Sequence, residues 1–115
     1  MKTTITIPDF RAPSRNKTVT AHWRAYQQQR DDLCGLIRAY VKGAGVICPA
    51  CVTIEAYYKG KVGVDTSNID DKIIVDGLMH AGILENDTAK ENPEVVKRAY
   101  LETGKNELVI TVTSS

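Results

Sequence analysis

The chain has 115 residues, of which 43% are apolar and 25% charged, with a formal net charge of +1. That length suits one domain, residues 1–115, and the composition is that of an ordinary globular core that needs no disulfide framework. No apolar run approaches the ~20 residues of a membrane span and the N-terminus does not read as a secretory signal, so no membrane partner is expected and the cytoplasm is the expected compartment, in keeping with an odd cysteine count of three.

Thr3, Ile5 and Ile7 alternate with Thr4 and Thr6 until Pro8, the period-two pattern of a short strand. Residues 8–17 form a Pro-punctuated basic loop. Thr18 or Thr20 then caps a predicted long helix running to about Lys42, with an apolar face of Tyr26, Leu33, Ile37, Tyr40 and Val41 and a stop at Gly43–Gly45. Cys51–Tyr58 reads as a strand, and 59–63 as a flexible basic loop. A second helix is predicted from near Ser67 to His80-Ala81-Gly82. Its spacing places Ile73, Ile74, Gly77, Leu78 and Ala81 on one side, and Asn68, Lys72 and Asp76 on another beside Asp71. Residues 95–101 and 107–113 read as two strands joined by a turn at 103–106, with a short helix as the alternative for the first. The order β-α-β-α-β-β predicts an α/β fold of the α+β type, a mixed four-stranded sheet with two main helices packed on it.

Charge is segregated along this order. Residues 1–30 carry Lys2, Arg11, Arg15, Lys17, Arg24 and Arg30 against Asp9 alone, whereas residues 65–98 carry eight acids against four bases. This pattern suits a protein that holds a polyanion with one part and a cation with another; solvated helix faces account for it equally well.

The acidic stretch reads Val64-Asp65-Thr66-Ser67-Asn68-Ile69-Asp70-Asp71-Lys72, then Asp76-Gly77-Leu78, then Ala81-Gly82-Ile83-Leu84-Glu85-Asn86-Asp87. Mg2+ takes oxygen ligands and keeps several waters, so two or three carboxylates suffice to hold it. A helix of ~15 residues separates its ends by ~20 Å, so a site using both Asp65 and Asp87 needs the chain to fold back after Gly82, or a dimer that brings the ends of two chains together. Structural explanations compete for several of these residues. Ser67 and Asp70 have the spacing of a capping box, Asp71 sits where a helix dipole favours an acid, and Lys72 with Asp76 is an i,i+4 pair.

This text resembles the RusA-type Holliday junction resolvases, whose pattern is close to D-x-D-N-x-x-K-x-x-x-D-x-L followed by A-G-[hydrophobic]-x-x-D-D. The match uses Asp65, Asn68, Lys72, Asp76, Leu78, Ala81, Gly82 and Asp87. It extends to Ile5-Thr6-Ile7-Pro8 with Pro13-Ser14-Arg15-Asn16, and to Gly104-Lys105-Asn106-Glu107-Leu108, so it covers most of the chain in consistent order. The resemblance implies a homodimeric, Mg2+-dependent phage-type endonuclease (Mn2+ being a possible substitute) that nicks opposing strands of a four-way DNA junction. Asp65, Lys72 and Asp87 would be catalytic, with Asp65 and Asp87 as metal ligands and Lys72 near the scissile phosphate. Two departures stand out. Ser67 occupies the place of the second aspartate, and one residue is inserted before Lys72. Asp71, ahead of Asp70, is the expected replacement carboxylate.

Lys59 and Lys61, and Arg15, Asn16 and Lys17 in the first loop, are the expected DNA-backbone contacts, together with Asn68. Cys48-Pro49-Ala50-Cys51 reads as a turn and strand start, because a zinc site would have to recruit Cys34, His22 or His80. No glycine pattern for a nucleotide cofactor is present. The rival readings are an inactive branched-DNA-binding module of the same fold and a small interaction protein that binds no DNA.

Overall fold

The structure is a computed structural model that describes residues 2–15, 23–42, 50–60, 68–84 and 94–114. Strand β1 (Lys2–Pro8) buries Thr3, Ile5 and Ile7 on one face and turns Thr4 and Thr6 to the other. It ends where Pro8 removes a backbone donor, and Asp9 then takes φ 50°, a conformation that Asp tolerates better than most residues. Helix α1 (Trp23–Tyr40) buries Leu33, Cys34 and Ile37. Tyr40, predicted on the apolar face, is the last residue of the helix and stands 39% exposed. The helix also stops two residues earlier than predicted. Val41–Lys42 instead form a short strand, β2, whose pairing with Thr4 and Ile5 of β1 satisfies the backbone that a longer helix would have used. The predicted caps Thr18 and Thr20 lie outside the described residues.

Strand β3 (Ala50–Tyr57) alternates strictly, with Ala50, Val52, Ile54 and Ala56 buried. Helix α2 (Asp71–His80) begins four residues after the predicted start. Its cap is Asp70, whose carboxylate accepts the Ile73 N–H at 3.3 Å. This corrects the capping box: Asp70 is the cap, and not the residue answering a cap at Ser67, which lies outside the described residues. Ile69 cannot be helical because it forms an antiparallel bridge with Ser14.

At the other end Gly82, at φ +80°, donates to the Met79 carbonyl, and Ile83 donates to that of Leu78. Those two bonds define a Schellman stop, in which glycine reverses the chain at no Cβ cost. Strands β4 (Glu94–Tyr100) and β5 (Glu107–Ser114) complete the sheet, so the segment for which a short helix was the alternative is a strand.

The sheet order is β2-β1-β5-β3-β4. Four main strands and two helices follow the predicted β-α-β-α-β-β order, with β2 added at an edge. β3 and β4 run parallel and the β1–β5 and β3–β5 pairs antiparallel, so the sheet is mixed. The buried side chains of β1, β3 and β5 join Leu33, Ile37, Ile73, Ile74 and Leu78 of the helices in one core. No helix is long and apolar enough to cross a membrane among the described residues.

Candidate nucleic-acid interface and carboxylate site

Strand directions decide where the loops gather. β1 runs against β5, β5 against β3, and β3 alongside β4, so β1, β3 and β4 all end at the same side of the sheet. There Pro8, Glu107, Tyr57 and Tyr100 form one cross-strand row. Because β3-α2-β4 is a parallel crossover, α2 starts at that same side. A helix start beside the carboxyl ends of strands is a usual place for an anionic ligand, but here the buried Asp70 carboxylate already caps it.

Backbone bonds tie these loops together. Phe10 N–H donates to the Asn106 carbonyl (3.3 Å), Lys59 N–H to the Asn106 side-chain oxygen (3.0 Å), and Thr103 N–H to the Tyr58 carbonyl (3.0 Å). The first loop is strapped to the start of α2 by the Ser14–Ile69 bridge and by Asp70 N–H donating to the Pro13 carbonyl at 2.9 Å. Arg11 stacks over the Tyr58 ring at 5.4 Å. Burial raises the Tyr58 phenol above its ordinary pKa, with Arg11 opposing the rise. An open cleft of about 260 Å³, lined by Arg11, Ala12, Pro13, Ser14 and Gln29, runs beside this loop.

Of the expected site residues, Asp71 and Lys72 occupy the first turn of α2, with Lys72 exposed, and Asn68 lies half-buried just before it. Arg15, directly after the Ser14 bridge, and Lys59, in the loop after β3, are exposed at the same end. Asp65, Asp87, Lys61, Asn16 and Lys17 lie outside the described residues. Among the described residues no three metal-binding side chains are gathered.

Two residues that sequence reading passed over hold this end in place. Lys97, half-buried on β4, reaches α2: its ammonium donates to the Asp71 carboxylate at 3.2 Å and to the Ile69 carbonyl at 3.3 Å. With both side chains partly exposed, the ion pair contributes at most ~1 kcal/mol, but it places a cation on the carboxylate expected to replace the missing acid. The sequence signal was a lysine in the same alternating series as Val95 and Ala99 along the strand. Tyr26, read as part of an apolar face, donates its hydroxyl to Asp76 Oδ2 at 2.7 Å. Burial, then that hydrogen bond and the carboxylate's charge, push the Tyr26 phenol well above its ordinary range. Asp76 is thereby a structural acceptor, and it forms no ion pair with Lys72.

A cleft of about 260 Å³ lies at the far end of the helices, between Asp31, Cys34, Gly35, Arg38 and His80, where Arg38 donates to the His80 carbonyl at 2.8 Å. Cys34 and Cys51 are free thiols. No known family model matches the chain, and no curated protein matches it.

Proposed function

We propose that this chain is a Mg2+-dependent endonuclease that acts as a homodimer on four-way DNA junctions in the cytoplasm of a bacterial or phage-infected cell, in the manner of the RusA-type resolvases it resembles. The observation that carries this reading is the strap between Pro13-Ser14 and Ile69-Asp70. These are two pieces of the resemblance, some 55 residues apart in sequence, and they meet at one end of the sheet with Arg15 and Lys59 beside them.

The geometry also sorts the shared pattern by cause. Asp76 is accounted for by Tyr26, and Ala81-Gly82-Ile83 by the Schellman stop. Asp65, Asn68, Lys72 and Asp87 remain for chemistry. The reversal at Gly82 supports a single-chain site, since Leu84 N–H also donates to the Leu78 carbonyl and so lies level with it. Leu78 stands ~10 Å along the helix from Asp71, and the three residues from Leu84 to Asp87 span up to ~10 Å.

Asp65 and Asp87, with Asp71 as third carboxylate, would hold Mg2+, which there supplies an activated water and neutralises phosphate charge. Asp71 offers the hard oxygen donor Mg2+ requires, though it already accepts from Lys97. Lys72 would sit against the scissile phosphate, and Arg15, Asn16, Lys17, Lys59, Lys61 and Asn68 would grip the backbone. The Lys97–Asp71 pair favours a second reading, a junction-binding module that does not cut, because the ammonium competes with a metal for that carboxylate.

The test is a synthetic four-way junction incubated with the protein in Mg2+ or Mn2+. Paired symmetric nicks that vanish in Asp65→Asn, Asp87→Asn and Lys72→Ala are expected. Salt-sensitive binding without cleavage by the wild type would leave the second reading, and no binding would overturn both.

A further inference from the structure

β4 is the long outer strand of the sheet, and among the described residues no strand pairs with its outer edge. An edge of seven residues is a template for another strand unless something blunts it. Its backbone directions follow from one bond: Tyr58 N–H donates to the Tyr100 carbonyl at 2.8 Å, so Tyr100 turns its polar groups toward β3. By alternation Glu94, Val96 and Arg98 do the same, and Val95, Lys97 and Ala99 present N–H and C=O outward.

We propose that the occupant of this edge is β4 of a second copy of the chain, paired antiparallel about a two-fold axis through Val96. Only registers centred on a residue bring outward groups opposite outward groups. Centring on Lys97 would set two lysines face to face, and centring on Arg98 two arginines. Centring on Val96 sets Glu94 opposite Arg98 of the second copy, twice, with Val96 against Val96 between them. All three are non-hydrogen-bonded positions, where cross-strand side chains approach most closely, and Glu94 and Arg98 are both exposed in the single chain. The patch is thus self-complementary in charge, as a two-fold interface must be.

The axis stands normal to the sheet. Both α2 helices therefore lie on one face, and the N-terminal end of each is on the same side as the C-terminal end of the other. The pairing gives the homodimer of the proposed function its interface, and in that respect it rests on that reading.

Sedimentation analysis of the wild type, Arg98→Glu and the double variant Glu94→Arg/Arg98→Glu tests it. The wild type is expected to dimerise. Arg98→Glu sets two pairs of acids together and is expected to weaken the dimer about tenfold or more, and the double swap to restore it to within about threefold. In a background with Cys48→Ser and Cys51→Ser, Val96→Cys is expected to give a disulfide-linked dimer on mild oxidation, because the two-fold sets the paired positions together. Circular dichroism establishes that each variant is folded. A wild type monomeric throughout, or a dimer unmoved by Arg98→Glu, overturns the pairing and assigns the edge charges to blunting alone. Junction cleavage by the same proteins is scored separately: a cutting monomer overturns only the pairing, and a dimer of the expected register that never cuts overturns only the nuclease.

Discussion

Replacing Tyr26 by Phe removes a hydrogen bond between two side chains, one on each helix. The ring keeps its packing, and the Asp76 carboxylate loses a donor held at 2.7 Å. A hydrogen bond to a charged acceptor contributes ~1.5–3 kcal/mol, and because Asp76 is only half-buried, water recovers part of it, leaving a cost of ~1–2 kcal/mol at pH 7. For a chain of this size that is a fall in Tm of ~4–8 °C. The pH dependence is a second signature. The folded-state pKa of Tyr26 is raised, by burial first and Asp76 second, above the ordinary value near 10. Its stabilising contribution is therefore complete below pH ~10 and is lost as pH climbs from there toward the folded value, when the unfolded chain ionises and the folded one does not. One unit above the unfolded pKa the loss is ~1.4 kcal/mol at most, and ~1 kcal/mol after discounting for the partial exposure of Tyr26. Urea unfolding at pH 7 and near pH 11 measures both. The wild type is expected to lose more stability over that interval than Tyr26→Phe, whose deficit shrinks. A variant as stable as wild type at pH 7, or with the same alkaline slope, refutes the reasoning.

Two further substitutions test the ends of α2. Asp70→Ala removes the cap of the Ile73 N–H and is expected to cost ~1–2 kcal/mol in urea unfolding, with Asp70→Asn recovering most of it. Gly82→Ala meets no neighbour within 4 Å but must adopt φ +80°, so a loss of ~1 kcal/mol is expected from backbone strain alone; no change in Tm would argue against the Schellman stop.

Periodicity found the strands and helices because burial imposes it locally. Ile5, Ile7, Val52, Ile54, Ile110 and Val112 alternate in the sequence as they do in the sheet, and Ile73, Ile74 and Leu78 recur at helical spacing on the buried face of α2. The end of α1 and the start of α2 differ from their predicted positions for a shared reason. Val41 has an apolar pattern that continues the helix, and Ser67 a spacing that begins one, but partners distant in sequence decide each boundary: β1 takes Val41–Lys42, and Ser14 takes Ile69.

The candidate site divides the same way. The sequence by itself determined the order of elements and the segregation of charge, since each depends only on residue type and spacing along the chain, and it carries the resemblance from which Asp65, Asn68, Lys72 and Asp87 are proposed for the site. Tertiary structure alone decided that β1, β3 and β4 end on one side, that Pro13-Ser14 lies against Ile69-Asp70, and that Lys97 holds Asp71 while Tyr26 holds Asp76. These are contacts between residues 26 to 57 positions apart, set by strand pairing and helix packing, and no pattern within one segment encodes which side chain will be across from it.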